Sequence, residues 1–251
     1  MDLGLADRVY VLTGASKGLG FATAQALVAD GAKVVISSRS ADRVKAAAES
    51  LGPNAAGVPA DLSSNATAAE LVGAARERFG RFDGALISVG GPPRGTAASV
   101  TDEQWGEAFE TVFLGTVRAA RTFAEALSTG GAIGLVLSSS VREPVAGLGL
   151  SNGLRPGLAG VAKDMADQYA ARNVRFVSLL PGRFLTDRNK ELFGANPDPE
   201  KAAADAAAAI PLGRLGDPAE FGRVAAFALS PAASYLTGLT LPVDGGSLRG
   251  I

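Results

Sequence analysis

The sequence predicts an α/β fold, a Rossmann-type doubly wound sheet of about seven parallel strands with helices on both faces. Short apolar or β-branched stretches alternate along the chain with longer helical ones, which is typical of repeated βαβ units. The short stretches are largely apolar throughout, as expected of strands that are covered on both faces. The candidate strands are Arg8–Thr13, Lys33–Ser37, Ala55–Ala60, Ala85–Val89, Ile133–Ser138, Val174–Leu180 and Leu239–Val243.

Several residues mark helix boundaries between these strands. Gly31 and Gly80 are placed to end two helices, because glycine readily adopts the left-handed conformation found there. Thr101-Asp102-Glu103-Gln104 has the pattern of a capping box. Asp217-Pro218-Ala219-Glu220 combines a cap residue, a first-turn proline and a carboxylate near the positive end of a helix. These signals support the alternation of strands and helices.

Composition narrows the classes of function. The chain has 251 residues, 47% of them hydrophobic and 20% charged, with a formal net charge of −1 and no Cys or His. A net charge near zero gives no broad attraction to nucleic acid or to an anionic membrane, so we expect neither partner. Without Cys and His, we expect no metal site and no imidazole base. No apolar run approaches the roughly 20 residues of a membrane span, and we expect a cytoplasmic protein that acts on a small molecule.

The organisation of the chain is that of one domain over residues 1–251, because no linker, repeat or charge block divides it. The segment Phe184–Ala209 falls between two regular elements and combines Asn196-Pro197-Asp198-Pro199 with an alanine-rich helical stretch. An insertion of this kind is a candidate for a mobile lid over a substrate.

A glycine-rich motif, Thr13-Gly14-Ala15-Ser16-Lys17-Gly18-Leu19-Gly20, follows the first predicted strand and precedes an amphipathic helix. Glycines in this position allow a tight turn and let the backbone approach a pyrophosphate, whose charge then faces the helix N–H groups. The alternative is that three of the 32 glycines are ordinary turn residues. The strand-turn-helix context favours nucleotide binding, with candidate contacts at Gly14, Ser16, Lys17, Gly18, Leu19 and Gly20.

The second predicted strand ends in Ser37-Ser38-Arg39-Ser40, where an acidic residue would accept the ribose hydroxyls of NAD. Arg39 can instead bind the extra phosphate of NADP, with Lys17 as a second cation and Ser38 beside it. We therefore predict that NADP(H) is preferred over NAD(H). The alternative is that Arg39 and Lys17 are solvated surface residues.

The chain resembles the short-chain dehydrogenase/reductase family, and especially its 3-oxoacyl-acyl-carrier-protein reductase-like members. The resemblance extends over nearly the whole chain. The glycine motif carries the resemblance together with four further segments. These are Asp61-Leu62, Pro181-Gly182-Arg183-Phe184-Leu185-Thr186, Pro211-Leu212-Gly213-Arg214 before Asp217-Pro218-Ala219-Glu220, and Gly238-Leu239-Thr240-Leu241-Pro242-Val243-Asp244-Gly245-Gly246.

The resemblance implies further cofactor contacts. Asp61 and Leu62 would flank the adenine, Pro181 and Gly182 would lie along the nicotinamide, and Thr186 would contact its carboxamide. Gly90 would also face the cofactor, in the segment Ser88-Val89-Gly90-Gly91 that replaces the family's Asn-Asn-Ala-Gly. The alternatives are that Asp61 caps a loop and that Pro181-Gly182 simply ends a strand.

The catalytic positions depart from the family pattern. Val112 stands where the family has an asparagine that helps to hold a proton-relay water. The substrate-orienting serine is preserved as Ser138, although Ser139 and Ser140 follow directly and the assignment can slip by one or two. Ser151 replaces the catalytic tyrosine and Arg155 the lysine, and no Tyr-x-x-x-Lys occurs in the chain. We expect Tyr10, Tyr169 and Tyr235 to be structural.

These replacements predict an atypical active site. The aliphatic hydroxyl of Ser151 is far less acidic than a phenol but can donate a hydrogen bond. Arg155 can hold the ribose hydroxyls of the nicotinamide half, yet its guanidinium cannot relay a proton. Glu143 is our candidate proton donor, since a carboxyl group shielded from water holds its proton more readily. The alternative for Glu143 is a surface ion pair with Arg142.

Two hypotheses follow. The first is an NADP(H)-dependent oxidoreductase that transfers hydride between the nicotinamide and a carbonyl or alcohol substrate, using Ser138 and nonstandard partners. The second is a catalytically inactive protein that binds the cofactor or regulates a partner. The arginines at the same sheet edge can bind an anionic substrate or an acyl thioester, or can be solvated; they are Arg94, Arg142, Arg183 and Arg188. By family resemblance we expect a homotetramer or homodimer that uses Thr101–Leu127, Ser151–Asn173 and the final strand.

Overall fold

The structure, a computed structural model, describes residues 2–128 and 130–250, so that Met1, Thr129 and Ile251 of the predicted domain lie outside the described residues. Within these ranges seven parallel strands form a sheet in the order β3-β2-β1-β4-β5-β6-β7. The strands are β1 (Val9–Leu12), β2 (Lys33–Ser38), β3 (Ala55–Pro59), β4 (Gly84–Ile87), β5 (Gly131–Val136), β6 (Val174–Pro181) and β7 (Leu239–Val243). The predicted fold class is confirmed. The order reverses between β1 and β4, where such sheets open a crevice for ligands.

Nine α-helices connect or follow the described strands. They are α1 (Gly18–Ala29), α2 (Ala41–Leu51), α3 (Thr67–Phe79), α4 (Asp102–Ala108), α5 (Gly115–Ala126), α6 (Gly149–Tyr169), α7 (Asp187–Gly194), α8 (Pro199–Ala208) and α9 (Pro218–Leu229). A π-helical stretch, Phe109–Leu114, joins α4 directly to α5. None of the helices in the described part of the chain is both long and apolar enough to cross a membrane.

The two faces of the sheet carry separate apolar clusters, because successive side chains of a strand point to opposite faces. Val9 and Val11 of β1 pack with residues of α3, α5 and α6. Tyr10 and Leu12 of the same strand pack with residues of α1, α2 and α9. Helices therefore cover both faces, which leaves the carboxyl ends of the strands as the place for a ligand site.

The predicted helix boundaries are confirmed. Gly80 ends α3 in the left-handed conformation, and Gly31 follows α1 with φ of +84°. Thr101 and Gln104 form a capping box at the start of α4, and Asp217 and Glu220 form another at the start of α9. The predicted lid segment contains the two short helices α7 and α8.

Candidate functional site

The glycine-rich loop lies between the end of β1 and the start of α1. Gly14 has φ of +57°, and a Cβ there would collide with the backbone carbonyl of Ser88 beyond β4, so the position requires glycine. Thr13 fixes this approach, since its Oγ1 donates to the Ser88 carbonyl at 2.9 Å and accepts from the Ser88 N–H at 2.9 Å. The ends of β1 and β4 are thereby held together on the two sides of the crevice.

The N-terminus of α1 is open to an anion. Lys17 precedes the helix without capping it through its side chain, and no acidic residue occupies the first turn. The unpaired N–H groups and the positive end of the helix dipole consequently face the glycine loop. This is the arrangement that binds phosphate groups at helix N-termini.

A cavity of about 360 Å³ extends from this loop along the ends of β1, β2 and β4. Eight of the residues predicted to bind the cofactor line it: Gly14, Ser16, Lys17, Ser38, Arg39, Asp61, Leu62 and Gly90. We call it the nucleotide cavity. Gly18, Leu19 and Gly20 form the first turn of α1 beside it.

The nucleotide cavity is rich in cations. Lys17, Arg39 and Arg43 all line it, and none of the three forms an ion pair with a carboxylate in the described ranges. Arg43 was missed by the sequence reasoning. Its position could have been inferred from Ser40, whose Oγ caps α2 by accepting the Arg43 N–H at 3.4 Å and so places Arg43 in the first helical turn, near Arg39.

Val112 lies in the π-helical stretch and also lines the nucleotide cavity. Its side chain is buried and offers no hydrogen bond, while its carbonyl accepts from Thr116 Oγ1 at 2.7 Å. A π-turn widens the helix locally and is frequent at functional sites. The structure therefore places an apolar side chain, that of Val112, at the crevice.

A second cavity, of about 750 Å³, lies beyond the ends of β5 and β6. Four predicted site residues line it: Ser138, Glu143, Pro181 and Gly182. Arg94 and Arg183 also line it, and the predicted lid supplies a wall through Leu192, Phe193 and Ala206. We call it the substrate cavity.

The start of α7 lies between the two cavities. Thr186 precedes α7, and its methyl group would lie 3.8 Å from a Cβ placed on Gly18. Arg188 extends to the loop after β4, where Nη2 donates to the Pro92 carbonyl at 3.5 Å and the guanidinium covers Gly91. The lid segment thus contacts the loop after β4 and lies close to the glycine loop at Gly18.

Ser138, Ser140 and Ser151 have different roles. Ser138 Oγ accepts the N–H of Ser140 at 3.1 Å and caps the short 3₁₀ helix Ser139–Val141. Ser140 Oγ and Ser151 Oγ lie 3.0 Å apart, and both residues are buried. Ser138 lines the substrate cavity, whereas Ser140 and Ser151 are absent from its described lining. The partner of Ser151 is therefore Ser140, two residues after the serine that the spacing selected.

Arg155 follows Ser151 by about one turn of α6 and is 5% exposed. Its Nη1 donates to the Val136 carbonyl at the end of β5 at 2.7 Å. Its Nε is buried without a hydrogen-bond partner in the described ranges. Burial lowers the pKa of Arg155 to about 10, and the nearby Arg188 contributes, so the group is still a cation at neutral pH. Arg155 is therefore a buried positive charge whose Nε–H group is available to a further acceptor.

Glu143 is half-buried at the edge of the substrate cavity. Its Oε1 accepts two backbone N–H groups near the C-terminus, from Arg249 at 3.0 Å and Gly250 at 3.3 Å. Arg142 donates instead to Thr240 Oγ1 at 2.7 Å. The alternative of an ion pair between Glu143 and Arg142 is therefore wrong, because each side chain has a different partner.

Asn152 was also missed by the sequence reasoning. Its Oδ1 accepts the Val145 N–H at 3.0 Å and its Nδ2 donates to the Val145 carbonyl at 2.9 Å. The side chain thus pairs with a backbone segment that lines the substrate cavity. The signal in the sequence that could have identified Asn152 is its position directly after Ser151, in the first turn of a helix.

The tyrosines do not replace the missing phenol. The Tyr10 hydroxyl donates to the Leu229 carbonyl at 3.4 Å, and burial raises the pKa of Tyr10 to about 12. The Tyr169 hydroxyl donates to Glu125 at 2.6 Å, which raises its pKa. Tyr235 is fully exposed, and none of the three is in the described lining of either cavity.

An open parallel sheet with a glycine loop at its switch point, and with a second cavity adjoining it, defines a Rossmann-type nucleotide-binding protein. Comparison with known proteins gives the family. The sequence profile described as "Enoyl-(Acyl carrier protein) reductase" matches residues 14–247. The chain belongs to the short-chain dehydrogenase/reductase family, whose members are oxidoreductases.

Similar proteins agree with this assignment over almost the whole chain. The 3-oxoacyl-[acyl-carrier-protein] reductase FabG of Vibrio cholerae is 30% identical, over 97% of this chain and 98% of its own length. The L-sorbose reductase of Gluconobacter frateurii, solved with NADPH and L-sorbose, is 28% identical with a TM-score of 0.93 over both full chains. A short-chain oxidoreductase from Pseudomonas aeruginosa PAO1, solved in its apo form and described as containing an atypical catalytic center, is 29% identical with a TM-score of 0.92 over both full chains.

Proposed function

We propose that this protein is an NADP(H)-dependent oxidoreductase that transfers hydride between the nicotinamide and a carbonyl or alcohol substrate at an atypical active site. The observation that carries the proposal is the pair of cavities at the carboxyl ends of the strands. Pro93 lines the cation-rich nucleotide cavity, and the next residue, Arg94, lines the larger substrate cavity together with Ser138, Pro181 and Gly182. The reductases of known activity reported above support a redox function, and one of them was solved with NADPH.

The nucleotide cavity fits a dinucleotide that carries an extra phosphate. Gly14 leaves room for a pyrophosphate, and the uncapped start of α1 offers it N–H donors. Arg39 follows the end of β2, where a carboxylate would favour the ribose hydroxyls of NAD, and Arg43 lies nearby in the first turn of α2. Two guanidinium groups and Lys17 suit a phosphate dianion, which supports a preference for NADP(H).

The cofactor, when bound, supplies or accepts the hydride. Ser138 is the hydroxyl best placed for the substrate oxygen, since its Oγ accepts the Ser140 N–H and its own hydrogen stays free to donate into the substrate cavity. Arg155 is a buried cation close to this region, and a charge in a water-excluded site stabilises a developing oxyanion strongly. Its unpartnered Nε can in addition hold a ribose hydroxyl. Ser151 helps to hold Ser138 in place, because its hydroxyl pairs with Ser140 in the turn that Ser138 caps.

The lining of the substrate cavity favours a small substrate with an anionic and an apolar part. Arg94 and Arg183 face it without a carboxylate partner in the described chain, and Leu148 and Phe193 supply apolar walls. Two carboxylates also line it, but Asp205 is paired with Lys201 and Glu143 accepts backbone N–H groups. A volume of about 750 Å³ is in the range of small-molecule sites. We propose a carboxylate-bearing ketone or an acyl thioester, with residues 184–209 acting as the lid. The cytoplasmic location and the oligomeric state stay predictions of the sequence.

The test is NADPH oxidation with ketones, keto acids and acyl thioesters, and NADP⁺ reduction with the matching alcohols. Ser138→Ala is expected to lower kcat/KM by about a hundredfold, the typical effect of removing one donor to an oxyanion. Ser234→Ala is a matched control, because Ser234 is exposed and remote from both cavities. Turnover that Ser138→Ala leaves unchanged would contradict the assigned role of Ser138.

A second candidate is a protein that binds the cofactor without catalysis. The observation in its favour is the burial of Ser151 and Arg155, which places neither replacement residue in the described lining of the substrate cavity. NADPH binding without turnover on any substrate class would support this candidate. The first proposal is supported by the similar Pseudomonas oxidoreductase, which is described as containing an atypical catalytic center.

A further inference from the structure

The segment after β7 turns back and becomes part of the substrate cavity. Asp244 shapes the turn, since its carboxylate accepts the N–H of Gly246 at 3.0 Å and of Leu248 at 2.8 Å. Ser247 Oγ donates to the Asp244 carbonyl at 2.8 Å. As a result, Ser247 and Leu248 line the substrate cavity, and Leu248 packs against the apolar cluster on the α5–α6 face of the sheet.

Glu143 fastens the far end of this segment, which we call the C-terminal strap (residues 247–250). Its Oε1 accepts the N–H groups of Arg249 and Gly250. Hydrogen bonds to an ionised carboxylate are stronger than those between neutral groups. Asp244 therefore holds the backbone N–H of Leu248, and Glu143 holds the backbone N–H groups of the two residues that follow it.

The loop that carries Glu143 is itself held in place. Asn152 pairs with the backbone of Val145 through two hydrogen bonds, and Arg142 donates to Thr240 in β7. Val145 and Leu148 of this loop line the same cavity as Leu248. The loop and the strap thus form one wall that is joined through Glu143.

We infer that Glu143 is a positioning residue that fastens the C-terminal strap, so that Leu248 sets the shape of the substrate cavity. The inference rests on the proposed function only in taking this cavity as the place where substrate binds. It replaces the role of proton donor that the sequence suggested for Glu143. Oε1 of Glu143 already accepts two N–H groups, an arrangement that suits a carboxylate which holds a backbone segment.

Hydrogen exchange of the full-length protein tests the fastening without any substrate. Glu143→Ala is expected to speed exchange of the Arg249 and Gly250 amides by about tenfold or more, because local opening no longer breaks a charged hydrogen bond. Glu143→Gln keeps an acceptor oxygen and is expected to restore most of the protection. Glu77→Ala, at an exposed carboxylate on α3, is the matched control and leaves these amides unchanged.

Variants on the strap side give an independent test. Arg249→Pro removes one of the two N–H donors, whereas Arg249→Ala keeps it. We expect Arg249→Pro to speed exchange at Gly250 as Glu143→Ala does, and Arg249→Ala to have no effect. Unchanged exchange in both Glu143→Ala and Arg249→Pro, with the fold intact by circular dichroism, would overturn the inference.

Steady-state kinetics separate positioning from proton donation. Positioning predicts that Glu143→Ala and Arg249→Pro raise KM about tenfold with little change in kcat, that the double variant adds little, and that Glu143→Gln restores KM. A proton donor predicts that Ala and Gln lower kcat equally and alter its pH profile. That second pattern would contradict the inference. If the protein proves to have no turnover, the proposed function fails, yet the exchange result still decides whether Glu143 fastens the strap.

Discussion

Ser140 Oγ and Ser151 Oγ lie 3.0 Å apart in the interior, and Ser151 is the residue that we predict, by family resemblance, to replace a tyrosine. Both residues are buried, and each hydroxyl is the other's side-chain partner. Ser140 belongs to the 3₁₀ turn that Ser138 caps, and Ser138 lines the substrate cavity. The hydroxyl of Ser151 therefore joins α6 to the turn that carries Ser138.

This pairing predicts a measurable coupling. Ser140→Ala and Ser151→Ala should each lower the free energy of unfolding by about 1–2 kcal/mol, since each leaves one buried hydroxyl without its partner. The double variant should cost less than the sum of the two, because it leaves no orphaned hydroxyl. Urea denaturation of the four proteins measures the coupling. Additive losses would show that the two hydroxyls do not depend on each other.

Arg155 is expected to matter for the cofactor more than for the fold. Arg155→Met should weaken NADPH binding about tenfold or more, because the ribose loses its cationic donor. The free energy of unfolding should change by less than about 2 kcal/mol, since relief from burying a cation offsets the lost hydrogen bond to Val136. Calorimetric titration and urea denaturation of the same variant measure both. A large loss of stability with unchanged NADPH affinity would make Arg155 structural.

Arg175 of β6 is expected to be a structural arginine. Its guanidinium is buried and donates to four backbone carbonyls at and beyond the end of α9, those of Ala228, Leu229, Ser230 and Leu236, at 2.9–3.3 Å. Arg175→Met should lower the free energy of unfolding by about 3 kcal/mol, because buried carbonyls lose their donors. Arg121→Met, at an exposed site on α5, should change it by less than about 0.5 kcal/mol. Equal effects in urea denaturation would refute the role of Arg175.

The ionisation of Glu220 is expected to make the stability of the fold depend on pH in the acid range. Two hydrogen bonds from Arg214, and then one from the Asp217 N–H, lower the pKa of Glu220 from 4.5 to about 2. Its stabilising effect is present above the unfolded value near 4.5 and is lost as pH falls toward 2. The difference in Tm between the protein and Glu220→Gln should therefore shrink over that range. A difference that is constant from pH 6 to pH 2 would contradict the assignment.

The fold was predictable because apolar strands and helix-ending residues are local signals. Every predicted strand is present within about two residues of its predicted bounds, since a buried parallel strand needs a continuous apolar run. The glycine loop was equally predictable from the sequence, because the conformation of the turn requires glycine at position 14. The π-helical stretch at Val112 was not, since one extra residue in a helical turn leaves no distinct pattern in the sequence.

The division of roles within the site was less accessible from the sequence. Spacing placed a serine at position 138, but only the turn geometry separates Ser138, which lines the cavity, from Ser140, which pairs with Ser151. Glu143 was recognised as a candidate, yet its partners lie more than a hundred residues away at the C-terminus. Contacts of this range depend on how the sheet brings β5 beside β6 and β7. Local patterns do not encode them.

The most direct test of the account is a fluorescence or calorimetric titration of the purified protein with NADPH and with NADH, beside Arg39→Ala and the control Arg121→Ala. We expect NADPH to bind at least about tenfold more tightly than NADH, because the extra phosphate meets Arg39, Arg43 and Lys17. Arg39→Ala should remove most of that preference and leave NADH affinity nearly unchanged, while Arg121→Ala has no effect. Failure of both nucleotides to bind at sub-millimolar concentration, or equal affinity for the two, would contradict it.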